Sequence, residues 1–137
     1  MKTIYALIVC VLVLGVSVRA QVCPPAQPID EQAAVGIWTG HYTENGAIRN
    51  LKIEFKVLGG QLVSYIDMPD RGLRNSRFET SICSSMELHM KKLNVDNIAL
   101  QFIGKPEGNR MSGRFMIGEN CSTARADTFS LVKQVMQ

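Results

Sequence analysis

Two histidines, His41 and His89, belong to the residue type most often used for acid–base chemistry and metal binding. Side chains alternate along a strand, so an inward-facing Trp38 and Tyr42 would turn His41 outward. His89 lies between acidic and basic neighbours on the polar side of another alternating segment. The sequence holds no nucleophile elbow, zinc-protease helix, phosphate loop or dinucleotide fingerprint. We therefore expect a protein that is not an enzyme and needs no cofactor or metal.

A pair of carboxylates, Asp67 and Asp70, is close enough in sequence to suggest general acid–base chemistry. Pro69 lies between them and Gly72 follows, and both residue types are typical of turns. Aspartate favours turns because its carboxylate accepts hydrogen bonds from nearby backbone amides. We interpret the segment as a turn between two strands.

Three arginines, Arg71, Arg74 and Arg77, form a local basic cluster. The cluster fits either an acidic ligand or glycan, or a solvated loop. Elsewhere lysines and arginines are interspersed with acidic residues, whereas a nucleic-acid-binding protein gathers its basic residues on one face. We therefore expect no nucleic-acid partner.

The segment Met1 to Ala20 has the layout of an export signal. Lys2 gives it a positive start, residues 4–16 are almost all apolar, and Ala20 fits the last position before cleavage. An uncleaved membrane anchor is the alternative, but it needs a longer apolar run. Cleavage removes Lys2 and Arg19 from the 15 basic residues, leaving 13 against 12 acidic ones. We expect a secreted protein without membrane attachment, in which residues 21–35 form an extended leader.

The cysteines must be counted without Cys10, which leaves with the signal. Cys23, Cys83 and Cys121 remain, and a secreted protein is expected to form a disulfide. A bond between Cys83 and Cys121 would stabilise the fold by about 4 kcal/mol by closing a long loop, and Cys23 with either partner is the alternative. The odd cysteine is either buried and free or joins two chains, so the protein is a monomer or a disulfide-linked dimer. Asn120 begins an N-glycosylation motif.

Short alternating segments separated by turn residues fill the chain from Gly36 onward. Asn45-Gly46 and Gly59-Gly60 predict tight hairpin turns, and Lys105 to Asn109 predicts a longer one. Residues 30–34 allow one helical turn at most. The pattern predicts an all-β domain over residues 36–134, with about eight short antiparallel strands in a meander, as a closed or nearly closed barrel or a sandwich. The predicted strands begin with the one at Gly36 and continue with Leu51 to Val57, Leu62 to Asp67, Arg77 to Cys83, Met86 to Lys92, Ile98 to Ile103, Met111 to Ile117 and Thr128 to Gln134.

Large apolar side chains are expected to face the inside of this barrel. A barrel of eight strands is wide enough either to be filled by its own side chains or to enclose one small ligand. The interior is thus either a packed core or a cavity for a small apolar ligand. If it is packed, we expect the surface to carry the function, toward an extracellular protein or glycan. The candidate lining residues are Trp38, Tyr42, Phe55, Met86, Leu88, Met90, Met111 and Phe115.

The tripeptide Gly36-Ile37-Trp38 on the first strand resembles the signature of lipocalins and the wider calycin group. In that group the tryptophan closes one end of the barrel and a basic residue from the last strand covers it. The resemblance implies that Lys133 packs on Trp38 through a cation–π contact.

A wider resemblance covers residues 36–133. Leu51 to Phe55, Asp67 to Gly72 and Met111 to Phe115 are similar to a small β domain that precedes the catalytic domain of many secreted serine and α/β hydrolases. That module is an accessory without an activity of its own, and the catalytic part is absent from this chain. The resemblance implies a non-catalytic binding or extracellular-matrix-type protein; an enzyme inhibitor or a hydrolase accessory is the alternative.

Overall fold

The computed structural model describes residues 31–83, 87–93, 97–118 and 126–135. Within them lie one short helix, one 3-10 turn and eight antiparallel strands. The prediction of an all-β domain of about eight strands is confirmed. The helix α1 is Glu31–Ala34, the 3-10 turn is Pro69–Arg71, and the strands are β1 (Gly36–Glu44), β2 (Ala47–Leu58), β3 (Gln61–Met68), β4 (Leu73–Cys83), β5 (Glu87–Leu93), β6 (Ala99–Glu107), β7 (Arg110–Ile117) and β8 (Ala126–Lys133).

The sheet closes on itself as a barrel. Each strand pairs with the next along the chain, and β8 returns to pair with β1. In this closing pair Trp38 lies opposite Lys133, and Tyr42 lies opposite Phe129. Closure gives every one of these eight strands a partner on both sides, so none of them presents a free edge. The closed barrel is the correct one of the two predicted architectures, and the sandwich is wrong.

The meander places successive turns at opposite ends of the barrel. We call one end the Arg71 end; it contains the turn Asn45-Gly46 and the 3-10 turn Pro69–Arg71. The other, the Trp38 end, contains the turn Gly59-Gly60 and α1. All four residues of the two tight turns have positive φ, between 52° and 81°, as a type I′ turn requires. Both predicted hairpin turns are confirmed.

Several strands are longer than the alternating pattern indicates, and β2 already begins at Ala47 rather than at Leu51. β6 continues through Pro106 to Glu107, so the next turn is formed by Gly108 and Asn109, and the turn predicted from Lys105 onward is wrong for its first residues. Pro106 is tolerated because the β5 pairing ends at Gly104, so the missing N–H interrupts no ladder on that side. β4 begins at Leu73 rather than at Arg77, next to an irregularity in its pairing with β3.

The Trp38 end is closed by α1. Trp38 Nε1 donates a hydrogen bond of 2.8 Å to the Ala34 carbonyl oxygen, and Lys133 Nζ donates one of 3.0 Å to the Ala33 carbonyl oxygen. The Lys133 ammonium also lies 5.5 Å from the centre of the Trp38 ring, which confirms the predicted contact. Residues 31–34 of the predicted extended leader are thus helical, and residues 21–30 lie outside the described part of the chain.

Aromatic rings fill the centre of the barrel. Phe102 stacks on Phe115 with ring centres 4.8 Å apart and meets Phe129 edge to face at 5.4 Å. Tyr42 meets Phe115 edge to face at 4.9 Å, and Phe78 lies 6.2 Å from Phe102. Such pairs add about 0.5–1.5 kcal/mol each to the effect of burial. These contacts make the interior of the described barrel a packed core.

Two opposite glycines make room for this packing. Gly104 of β6 lies across from Gly113 of β7. A Cβ on Gly104 would collide with the Phe129 ring, and a Cβ on Gly113 would collide with the Ile103 carbonyl oxygen and lie 2.6 Å from the Gly104 Cα. The two strands can therefore approach and coil at this point only without side chains.

We expect Gly113→Ala to destabilise the protein by about 2 kcal/mol or more, because the added methyl group meets rigid backbone rather than a movable side chain. Urea unfolding followed by tryptophan fluorescence measures the change through Trp38. The neighbouring exposed change Ser112→Ala is the control and should leave stability within about 0.5 kcal/mol of the wild type. Equal stability of the two variants would contradict this account of the glycine pair.

Candidate functional site

The predicted lining residues do come together inside the barrel. Each of those that the structure describes is at most 1% exposed, and all belong to the central core. Met86 lies outside the described residues, as do Cys23, Cys121 and Asn120. The inward orientation of the others is confirmed. They are Trp38, Tyr42, Phe55, Leu88, Met90, Met111 and Phe115.

These side chains contact one another rather than surround a space. Four of the hollows in the described part of the molecule have volumes of about 300–340 Å³. None of the four is lined by a phenylalanine, tryptophan, tyrosine or methionine; polar and charged residues of the strands and turns make up much of their walls. An apolar ligand in the centre of the barrel would therefore have to displace packed aromatic rings.

The residues first considered for acid–base chemistry do not converge. His41 is exposed on the outer face of β1, as predicted, and His89 lies on the outer face of β5, 3.7 Å from Glu87. Asp70 lies in the 3-10 turn as predicted, whereas Asp67 lies near the end of β3, where it accepts a hydrogen bond from the Asn75 amide of β4. Among the described residues, no three histidine, cysteine or acidic side chains are grouped so as to hold a metal ion. Nor does the described part contain a helix long and apolar enough to cross a membrane.

A different group of polar residues does converge, at the Arg71 end. The tight turn at Asn45-Gly46 fixes the register of β1 and β2, which brings Arg49 directly opposite Tyr42. Opposite residues in an antiparallel pair share one face of the sheet, and Tyr42 is fully buried inside the barrel. Glu44 follows Tyr42 by two residues and so lies on the same face. One hairpin thus supplies Tyr42, Glu44 and Arg49 to the inner side of the barrel end.

The 3-10 turn supplies the fourth member, Arg71. Its guanidinium pairs with the Glu44 carboxylate, and its central carbon lies 5.9 Å from the centre of the Phe115 ring. Phe115 also contacts Tyr42, so one ring lies beside both the phenol and the guanidinium. Gly72 ends the turn with φ of 67°, in the left-handed region, which lets the chain turn directly into β4.

Glu44 is the acidic centre of this cluster, which we call the Arg–Glu–Arg cluster (Glu44, Arg49 and Arg71). Arg49 Nε lies 3.0 Å from Glu44 Oε2, and Arg71 pairs with Oε1 of the same carboxylate. The Glu44 side chain is 12% exposed, and the two arginine side chains are 35% and 27% exposed. Asp70 is 3.7 Å from Arg49 Nη1 but is 43% exposed, so solvent screens that pair.

Three hydrogen-bonding atoms of this group are buried without a partner: the Tyr42 hydroxyl, Arg49 Nε and Arg71 Nε. Arg49 Nε is close to Glu44, but its N–H lacks the alignment of a hydrogen bond. Of the other described side chains, only His89 Nε2 is in the same situation. A buried polar group without a partner costs about 1–3 kcal/mol, so three at one place form the least satisfied part of the described structure.

Burial raises the pKa of Tyr42 above its ordinary value, and the negative charge of Glu44 raises it further. The positive charges of Arg71 and Arg49 act in the opposite direction but do not cancel the rise. The phenol therefore stays protonated at neutral pH and has a hydrogen to donate.

The sequence interpretation missed this site because it grouped Arg71 with Arg74 and Arg77. The structure separates them: Arg74 and Arg77 are exposed, whereas Arg71 turns inward over Phe115. One signal was available, since the alternation that points Trp38 and Tyr42 inward also points Glu44 inward. The partner of that carboxylate comes from a turn, where no alternation applies.

The chain was compared with models of protein families, with curated proteins and with solved structures, and none of the three comparisons gave a match. The function must therefore be argued from the barrel and its Arg71 end.

We expect stability to fall as pH rises above about 10, and the buried phenol of Tyr42 to contribute to that fall. The pKa of Tyr42 is raised in the folded state, so the unfolded chain loses this proton first and high pH favours unfolding. In Tyr42→Phe this contribution disappears. At neutral pH the substitution should change the free energy of unfolding little, because the hydroxyl that it removes has no partner.

Urea unfolding at a series of pH values measures both effects. Tyr65→Phe is the matched control, because Tyr65 is half-buried on the outer face of β3 and so lies outside the cluster. Identical pH dependence in the two variants would show that the Tyr42 environment does not disfavour the phenolate.

Proposed function

We propose that this protein is a secreted, non-catalytic binding protein that takes a small ligand at the Arg71 end of its barrel rather than in the barrel interior. The unsatisfied donors of Tyr42, Arg49 and Arg71 carry this proposal. Buried polar groups in proteins are almost always paired, and a group left without a partner calls for a specific explanation. A ligand that arrives after folding is such an explanation.

The packed core supports binding at an end of the barrel. Phe102 is fully buried and contacts Phe78, Phe115 and Phe129 within 6.2 Å. Opening a site there would remove several aromatic contacts, at a cost of several kcal/mol. At the Arg71 end the arginine side chains are 35% and 27% exposed, so a ligand can reach them without opening the aromatic core.

The absence of catalysis is proposed because the cluster lacks a poised acid–base pair. Glu44 is already engaged by two guanidinium groups, and both histidines lie on the outer face of the barrel. Secretion is proposed from the apolar segment that begins the sequence, between Lys2 and Ala20.

Amide NMR spectra of the mature protein test the location of binding. Benzyl alcohol, benzylamine and benzoate are added in turn, so that neutral, cationic and anionic probes share one apolar ring. We expect shifts from at least one probe to be concentrated in residues 44–49 and 69–72, and to be strongly reduced in Arg71→Gln. Arg74→Gln is the matched control, because this arginine is exposed and outside the cluster.

Two outcomes would contradict the proposal. The first is a set of shifts concentrated in central strand residues such as Leu51 and Phe102, which would indicate binding in the interior. The second is the absence of probe-dependent shifts at the Arg71 end with all three compounds.

A further inference from the structure

In the Arg–Glu–Arg cluster two arginines share one carboxylate. Two guanidinium groups, those of Arg49 and Arg71, share the one carboxylate of Glu44, which is 12% exposed. Asp70, 3.7 Å from Arg49, is 43% exposed and so is screened by water. Asp127 of β8 also reaches this end, where its Oδ2 accepts a hydrogen bond of 3.4 Å from the Asn45 amide. Among the described residues, Glu44 is therefore the one carboxylate that pairs with both arginines.

The unpartnered atoms of the Arg71 end need a hydrogen-bond acceptor. An arginine N–H can only donate, and the protonated Tyr42 hydroxyl has a hydrogen to donate as well. Three donors, the Nε atoms of Arg49 and Arg71 and the Tyr42 oxygen, thus lack an acceptor. A cationic group would bring more donors and more positive charge, so it cannot satisfy the two arginine N–H groups. A group with several acceptor oxygens and a negative charge can, and hydrogen bonds between arginine and such groups are among the strong ones in proteins.

The core limits how far a ligand can enter. Phe115 lies beside both Arg71 and Tyr42, and behind it Phe102 stacks at 4.8 Å. The group that meets the three donors therefore occupies only the barrel end, and the rest of the ligand lies outside the aromatic core. This arrangement fits a terminal group rather than one in the middle of a molecule.

We propose that the Arg71 end binds the terminal oxyanion group of a small molecule, with Arg49, Arg71 and Tyr42 as its hydrogen-bond donors. The inference rests on the proposed function and adds the chemical class of the ligand. The oxyanion is the carboxylate, phosphate or sulfate end of the ligand. Its oxygens accept hydrogen bonds from the donors that Glu44 does not satisfy. Binding requires the two arginine side chains to turn so that their buried Nε–H groups reach the anion.

Acetate, methyl phosphate and methyl sulfate are the probes, and acetamide is the neutral match for acetate. Each is titrated into the mature protein at constant ionic strength, and the arginine Nε–H resonances are followed by NMR. We expect at least one oxyanion to shift the resonances of Arg49 and Arg71 with saturation, while acetamide has no effect. The three oxyanions differ in shape and charge, so their order of affinity identifies the source of the anion.

Variants test the donors one at a time. Arg71→Gln and Arg49→Gln should each weaken binding of the best oxyanion by about tenfold or more, since each removes charge-assisted hydrogen bonds. Tyr42→Phe should weaken it by about threefold to tenfold, because it removes one hydroxyl donor. Arg74→Gln and Arg77→Gln each remove one exposed positive charge and should leave the affinity within about twofold. Thermal unfolding of each variant establishes that it is folded.

The outcomes separate this inference from the proposed function. If acetamide binds as well as acetate, or if the exposed-arginine variants weaken binding as much as Arg71→Gln, the oxyanion assignment is wrong. If no oxyanion binds but benzyl alcohol or benzylamine still binds at the Arg71 end, the oxyanion assignment fails while the proposed function stands. If no probe of either kind binds there, both fail. The comparison of acetate with acetamide uses only the wild-type protein, so it holds even if a variant does not fold.

Discussion

The pairing of β8 with β1 is the constraint on which the rest of the molecule depends. This pair runs from Trp38 opposite Lys133 to Tyr42 opposite Phe129. Because it closes the barrel, the backbone of each of the eight strands has a partner on both sides. Closure also creates an inside of limited width, which eight strands leave just large enough for side chains. Whatever occupies that inside decides where a ligand can bind.

Aromatic side chains occupy the interior of this barrel. Phe102 touches three other phenylalanine rings, and the glycine pair Gly104 and Gly113 lets two strands close in beside Phe129. A packed interior adds stability because it buries apolar surface without leaving voids. It also leaves little room for a ligand among the central rings, and the two ends of the barrel differ in how well their polar groups are satisfied.

Each end of the barrel has a cation lying over an aromatic ring, but the two ends differ in their hydrogen bonds. At the Trp38 end a cation covers an aromatic ring and donates to a helix carbonyl, and the indole N–H has an acceptor as well. At the Arg71 end a cation again lies over an aromatic ring, that of Phe115, but neighbouring donors are left without acceptors. Among the described residues, the cation and the indole N–H of the Trp38 end therefore have acceptors, whereas three polar atoms of the Arg71 end have no partner.

The sequence by itself determined the strand pattern, the two tight turns and the inward side of each strand. Alternation and the glycine-containing turns are local properties, and for that reason Trp38, Phe55 and Leu88 were placed correctly inside the barrel. Alternation did not determine whether those side chains fill the interior, because that depends on distances between strands far apart in the sequence. Nor did alternation place Arg71, because a 3-10 turn follows no period-two pattern. The side chain of Arg71 meets Glu44, which is 27 residues away in the sequence. The pairing of β1 with β2 and of β2 with β3 brings that turn next to the hairpin that carries Tyr42, and the site exists for that reason.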